Sequence, residues 1–136
     1  MAMPARILVI EDNEENMELM TYLLRAGGHK TLSASTGTRG IQLVSDQSPD
    51  LVLLDIQLPD VDGYEVASAI RGGGRSNLIP IVAVTALAMV GDQERIIAAG
   101  FDGYLTKPIT PETFVREVEQ FLTVERPGVA GCGASR

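Results

Sequence analysis

Short apolar runs alternate with segments of helical periodicity along most of this 136-residue chain. The apolar runs are rich in β-branched residues, as strands are, whereas the segments between them carry apolar residues three and four positions apart. The predicted strands are 6–10, 30–34, 51–55, 81–86 and 103–107, and the predicted helices are 16–26, 38–46, 64–71, 91–100 and 110–122. This alternation predicts an α/β fold in which a parallel sheet carries helices on both faces.

The composition of the strands predicts their positions in the sheet. Strands that are apolar at nearly every position are buried on both faces, and they are 6–10, 51–55 and 81–86. The more polar strand at 30–34 is predicted to lie at an edge. His29, which follows two glycines and precedes this strand, is predicted to be a surface residue. Thr110 and Pro111 are predicted to cap and begin the last helix.

Length, charge and cysteine content limit the classes of function. The length fits one domain, in residues 1–124, and the small, glycine-rich residues 125–136 are predicted to be a disordered tail. No apolar run approaches the roughly 20 residues that cross a bilayer, and no secretion signal is recognisable. A single cysteine, Cys132, favours a reducing cytoplasm. The net charge of −7 argues against nucleic-acid or membrane partners.

Polar and charged residues that could take part in binding or in a reaction stand where the predicted strands end. They are Glu11 and Asp12 after the first strand, Asp55 in the third, Thr85 in the fourth and Lys107 in the fifth. These side chains are expected to converge, because the carboxyl ends of parallel strands meet at one edge. Three adjacent carboxylates repel one another unless a cation joins them, and hard oxygen ligands suit Mg²⁺. A lysine and a hydroxyl beside that ion suit a phosphoryl group, so the sequence predicts a phosphoryl site with Asp55 as the nucleophile.

Four motifs carry a resemblance to the receiver domains of two-component response regulators. In chain order they are "VIEDN", "LLDIQLPDVDG", "VAVTA" and "YLTKPI". The resemblance covers about residues 5–124 and implies a flavodoxin-like (CheY-like) sheet of five parallel strands in the order 2-1-3-4-5. The chain looks most like single-domain regulators of the DivK type, and it also resembles receivers attached to hybrid histidine kinases.

The resemblance implies a phosphoacceptor and a metal site. Asp55 would accept a phosphoryl group from a kinase phosphohistidine, with Mg²⁺ as the cofactor. Asp12 and Asp55 would bind Mg²⁺ directly, together with the backbone carbonyl of Gln57, whereas Glu11 would act mainly through metal-bound water.

The resemblance also implies a switch. Lys107 would pair with a phosphoryl oxygen, and the Lys107–Pro108 peptide bond would be cis. Thr85, followed by Ala86, would swing to bond the phosphoryl group. Tyr104 would then turn inward and report phosphorylation to the face formed by the fourth helix, fifth strand and fifth helix.

Two further positions are expected to tune the lifetime of the phosphoryl group. Gln57 and Leu87 occupy positions that flank this group in the family. The apolar Leu87 is expected to hinder the attacking water and to lengthen the lifetime.

These expectations describe a phosphoacceptor switch, with no enzymatic activity beyond its own Mg²⁺-dependent phosphorylation and dephosphorylation. Its partners would be a histidine kinase or histidine phosphotransfer protein and a downstream protein target. It would be a monomer or a weak, phosphorylation-dependent dimer. Two alternatives are a receiver excised from a hybrid histidine kinase and an adaptor that works without phosphorylation. A haloacid dehalogenase-type phosphatase is disfavoured, because Gln57 stands where that class needs a second aspartate.

Overall fold

A computed structural model of the chain describes residues 4–73, 78–86 and 90–122. Within these ranges the strands are β1 (Arg6–Ile10), β2 (Lys30–Ala34), β3 (Leu51–Asp55), β4 (Ile81–Thr85) and β5 (Gly103–Thr106). The helices are α1 (Glu14–Ala26), α2 (Gly37–Gln47), α3 (Gly63–Arg71), α4 (Val90–Ala98) and α5 (Phe114–Leu122). The predicted tail at 125–136 and the predicted lifetime residue Leu87 lie outside the described residues.

All five strands pair in parallel, in the order β2-β1-β3-β4-β5. This order confirms the predicted fold class and places β2 at an edge, with β1, β3 and β4 inside the sheet. Every residue of β3 and β4 is buried. Uninterrupted apolar sequence therefore marks the strands that are covered on both faces.

The core has two layers because alternate residues of a strand face opposite sides of the sheet. In β1, Leu8 and Ile10 pack on one side, whereas Ile7 and Val9 pack on the other. The first layer takes side chains from α2, α3 and α4, and the second takes them from α1 and α5. Each fully buried aliphatic side chain contributes about 1.5–3 kcal/mol relative to exposure, so the two layers hold the sheet rigid. None of the described helices is long and apolar enough to cross a membrane.

The predicted start of the last helix was wrong. α5 begins at Phe114, after a turn at residues 111–113. The carbonyl of Thr110 accepts hydrogen bonds from the N–H groups of both Thr113, at 3.1 Å, and Phe114, at 3.0 Å. This shared acceptor closes a turn before the regular helix starts.

The prediction that His29 lies on the surface was also wrong. Its side chain is only 1% exposed, and Nε2 lies 2.7 Å from the Glu119 carboxylate. Nδ1 accepts a hydrogen bond from the backbone N–H of Ala5 at 3.0 Å. With Nδ1 as the acceptor, the ring donates from Nε2, and His29 ties the start of β1 to α5.

Gly63 lies where the chain leaves the loop after β3 and enters α3. Its N–H donates to the carbonyl of Ile56 at 3.0 Å. A Cβ atom at this position would lie 2.5 Å from Ile56 Cα and 2.8 Å from Ile56 O. Both neighbours are backbone atoms, so they cannot move aside as a flexible side chain would.

Gly63→Ala is therefore expected to lower the free energy of unfolding by about 1–3 kcal/mol, through overpacking. Gly91→Ala is the matched control, because a Cβ there would meet no described atom within 4 Å. The control should be neutral or slightly stabilising, since Ala loses less backbone entropy than Gly in a helix. Urea denaturation of the three proteins measures both effects, and equal midpoints for Gly63→Ala and the native chain would contradict the expectation.

Candidate functional site

Polar side chains from four strand ends meet at the carboxyl edge of the sheet. Glu11 follows β1, Asp55 ends β3, Thr85 ends β4 and Lys107 follows β5. Glu11, Asp55 and Thr85 are 1%, 4% and 1% exposed, whereas Asp12 is open to solvent. Oxygen atoms of Glu11, Asp12 and Asp55 lie within 4.8 Å of one another.

Among the described residues, Lys107 supplies a cation at this edge. Its Nζ lies 3.1 Å from Glu11 Oε1 and 3.2 Å from Asp55 Oδ2. Its backbone N–H donates to the carbonyl of Thr85 at 2.9 Å. This backbone bond continues the pairing of β4 with β5, so the sheet itself directs the lysine towards the two buried carboxylates.

The Lys107 ammonium donates to both buried carboxylates, at 3.4 Å to Glu11 Oε2 and at 3.2 Å to Asp55 Oδ2, but not to Glu11 Oε1. Burial and the neighbouring charge of Asp55 raise the pKa of Glu11 above its ordinary value of 4.5, although Asn13 and Lys107 act in the opposite direction. Among the described residues, no donor reaches Glu11 Oε1 with hydrogen-bond geometry. The 3.1 Å contact of Glu11 Oε1 with Lys107 Nζ is therefore a charge contact without hydrogen-bond geometry.

Lys107 shows the complementary effect. Burial lowers the pKa of its ammonium, but the hydrogen bond to Glu11 and the charges of Asp55 and Glu11 outweigh burial. The net result is a Lys107 pKa above its ordinary value of 10.5. The lysine is therefore fully charged at neutral pH.

The loop between β3 and α3 borders the same edge. The backbone N–H of Gln57 donates to Asp55 Oδ1 at 3.0 Å, and the Gln57 side chain is exposed. The side chain of Asp62 caps α3 by accepting the N–H of Tyr64 at 2.8 Å. At the tip of the loop, Asp60 accepts hydrogen bonds from the N-terminus of α2.

The other predicted site residues lie around this cluster. Ala86 follows Thr85 and is exposed, and the Lys107–Pro108 peptide bond is cis. Tyr104 is half-buried in β5 and lines a surface pocket of about 260 Å³ beside α5.

Two contributors were not predicted from the sequence. The N–H of Asn13 donates to Glu11 Oε2 at 3.2 Å, while its side chain caps α1. Asp60, in the loop before α3, was given no role from the sequence. The position of Asn13 before a helix could have indicated a cap, but no local pattern shows that Asp60 reaches α2.

Comparison with known proteins identifies the family. The sequence profile described as "Response regulator receiver domain" matches residues 7–119. The chain belongs to this family. The receiver domain is 40% identical over 120 residues to the polar-differentiation response regulator DivK of Brucella anthropi, covering 88% of this chain and 98% of that protein.

Solved receiver structures have the same fold. The receiver domain of a sensor histidine kinase from Pseudomonas aeruginosa superposes with a TM-score of 0.82 at 30% identity, covering 90% of this chain and 100% of that one. Its structure is described with a magnesium ion coordinated in the active-site cleft. A response regulator from Chloroflexus aurantiacus superposes with a TM-score of 0.84 at 27% identity, over the same shares of the two chains.

The donor set of this receiver domain fits Mg²⁺. Receiver domains bind Mg²⁺ at an acidic pocket, and here Glu11, Asp12 and Asp55 supply the hard oxygen atoms that this ion prefers. Glu11 Oε1 is buried and receives no hydrogen bond from the described residues, although Lys107 Nζ lies 3.1 Å away. A bound cation, or a water molecule that it orients, would satisfy this atom.

Lys107→Met tests how charge is balanced in the receiver site. Losing the ammonium leaves buried carboxylates without their partner, so the free energy of unfolding without Mg²⁺ should fall by about 1–3 kcal/mol. Mg²⁺ should bind this variant more tightly than the native chain, because a competing cation has been removed. Urea denaturation and calorimetric titration with MgCl₂ measure the two effects.

Lys30→Met is the matched control, because Lys30 is an exposed residue of β2 and its loss changes the net charge equally. The control should leave stability and Mg²⁺ affinity near native values. Equal Mg²⁺ affinity in Lys107→Met and the control would contradict this description of the site.

Proposed function

We propose that this receiver domain is a single-domain response regulator that accepts a phosphoryl group on Asp55 from a histidine kinase or a histidine phosphotransfer protein. The observation that carries the proposal is the position of the Asp55 carboxylate. It ends a buried strand, is 4% exposed, and lies 3.2 Å from the Lys107 ammonium and beside two further carboxylates. The 40% identity to a DivK response regulator supports the same role.

The proposed reaction moves a phosphoryl group between two side chains. A carboxylate oxygen of Asp55 attacks phosphorus, the P–N bond of the donor phosphohistidine breaks, and the imidazole leaves with its electron pair. Mg²⁺, held by Asp12, Asp55 and the Gln57 carbonyl with Glu11 close by, would supply charge neutralisation of the phosphoryl oxygens. The chain itself provides Asp55 as a fixed nucleophile and Lys107, whose ammonium can move its contact from Asp55 to a phosphoryl oxygen.

Lys107 and Thr85 are proposed to hold the phosphoryl group once it is attached. The Lys107 ammonium can exchange its contact with Asp55 Oδ2 for one with a phosphoryl oxygen while it keeps Glu11 as a partner. Thr85 would bond a second oxygen through its hydroxyl, with Ala86 alongside. Gln57 and Leu87 are proposed to control the access of water to the phosphoryl group and hence its lifetime.

The proposed output surface is the face formed by α4, β5 and α5. Tyr104 of β5 is half-buried beside a surface pocket, and Ile97 of α4 is 54% exposed. An inward turn of Tyr104 would change this face for a downstream protein, as a local charge change biases a two-state element. The proposed location is the cytoplasm, with no nucleic-acid or membrane partner, and the proposed state is a monomer or a weak dimer formed after phosphorylation.

Incubation with acetyl phosphate tests the proposal, with intact-mass measurement as the readout. The native chain is expected to gain the mass of one phosphoryl group only when Mg²⁺ is present. Asp55→Asn should gain none, because an amide is not a nucleophilic carboxylate. Asp46→Asn, which changes an exposed aspartate on α2, is the matched control and should be phosphorylated like the native chain.

Absence of the mass gain in the native chain would contradict the proposal and favour an adaptor that works without phosphorylation. A gain that persists in Asp55→Asn would instead contradict the assignment of the acceptor residue.

A further inference from the structure

The loop between β3 and α3 is bonded at its tip to a helix that is distant in the sequence. Asp60 Oδ1 accepts the N–H of Gly37 at 2.8 Å. Asp60 Oδ2 accepts both the N–H of Thr38, at 3.0 Å, and its hydroxyl, at 2.8 Å. One exposed carboxylate thus takes three hydrogen bonds from the first turn of α2.

Asp60 shares the capping of α2 with a residue of the helix's own end. The first N–H groups of a helix have no partner within the helix, and a carboxylate there is favoured by the helix dipole. Thr36 accepts the N–H of Arg39 at 3.1 Å, while Asp60 takes the two N–H groups before it. The bonds from Gly37 and Thr38 lower the pKa of Asp60 to about 2, so its carboxylate is ionised at neutral pH.

Close packing makes this contact specific. A Cβ atom on Gly37 would lie 2.7 Å from Val66 Cγ2 and 3.3 Å from Val61 Cβ. The start of α2 therefore lies directly against both the loop and α3, and Asp60 reaches the helix end without an intervening side chain.

The loop is held at its base as well as at its tip. The N–H of Gly63 bonds the carbonyl of Ile56 at 3.0 Å, and the N–H of Gln57 bonds Asp55 Oδ1 at 3.0 Å. Gln57, whose carbonyl is a proposed metal ligand, belongs to this base and stands three residues before Asp60. The bonds of Asp60 to α2 restrain the chain that leaves Gln57, so they are expected to limit how far the peptide group that carries this carbonyl can turn.

We propose that Asp60 is a positioning residue of the phosphoacceptor site, because its bonds to α2 hold the Gln57 carbonyl beside Asp55 in the arrangement that binds a divalent cation. This inference rests on the proposed function, since it assumes that the site binds such a cation. Residues that orient metal ligands without touching the metal change affinity by about 10- to 100-fold when they are lost.

Binding of Mn²⁺, followed by the electron paramagnetic resonance signal of the free ion, tests the inference without any phosphoryl transfer. Asp60→Ala is expected to weaken Mn²⁺ binding by about 10-fold. Asp60→Asn, which keeps only one of the two acceptor oxygens for the α2 N–H groups, should recover part of the affinity. The amide of Thr38 should exchange with solvent faster in Asp60→Ala than in the native chain.

Thr36→Ala is the matched control, because it removes a cap from the same helix without touching the loop. It should lower the melting temperature but leave the Mn²⁺ affinity at the native value. If Mn²⁺ binding depended only on the capping of α2, Thr36→Ala and Asp60→Ala would weaken binding equally. This inference would be overturned by an unchanged Mn²⁺ affinity in Asp60→Ala, or by an equal loss of affinity in Thr36→Ala. In both cases, Mn²⁺ binding by the native chain would leave the proposed function intact. A native chain that binds no Mn²⁺ would overturn both.

Discussion

The contact of Lys107 with two buried carboxylates is the interaction on which the site depends. Two like charges about 4 Å apart repel each other by on the order of 4 kcal/mol near a protein surface. The fold nevertheless gathers the carboxylates of Glu11, Asp12 and Asp55 at one edge of the sheet. The Lys107 ammonium offsets only part of the cost of this arrangement, since burial and the charge of Asp55 still raise the pKa of Glu11 above its ordinary value. The negative charge that Lys107 does not neutralise attracts a divalent cation to this edge.

Such an imbalance persists only where the backbone cannot relax. β1, β3 and β4 are packed on both faces, so Glu11, Asp55 and Thr85 cannot withdraw from one another. The loop after β3 is fixed by Gly63 at its base and by Asp60 at its tip. The packing of the apolar core thus supplies the free energy that holds the carboxylates together at a site where a cation can bind.

Much of this arrangement follows from local sequence. The strand pattern predicts the sheet, and parallel strands share a carboxyl edge, so the sequence alone predicts that Glu11, Asp55 and Lys107 lie together. The start of α5 was mistaken because Thr110 has the composition of a cap, whereas its carbonyl closes a separate turn.

Long-range contacts account for what the sequence did not reveal. His29 is buried because it bonds Ala5, 24 residues away, and Glu119, 90 residues away. Asp60 bonds Gly37 across 23 residues. Periodicity and capping rules describe neighbours in the chain, so they cannot indicate partners that only the assembled fold brings together.

Thermal unfolding in MgCl₂, measured against NaCl of equal ionic strength, tests most directly whether the acidic edge needs a cation. A ligand that binds the folded state stabilises it by about 2.7 kcal/mol at 100 times its dissociation constant. Mg²⁺ is therefore expected to raise the melting temperature of the native chain and to have much less effect on Asp12→Asn. Identical melting temperatures of the native chain in the two salts would contradict a cation-dependent site.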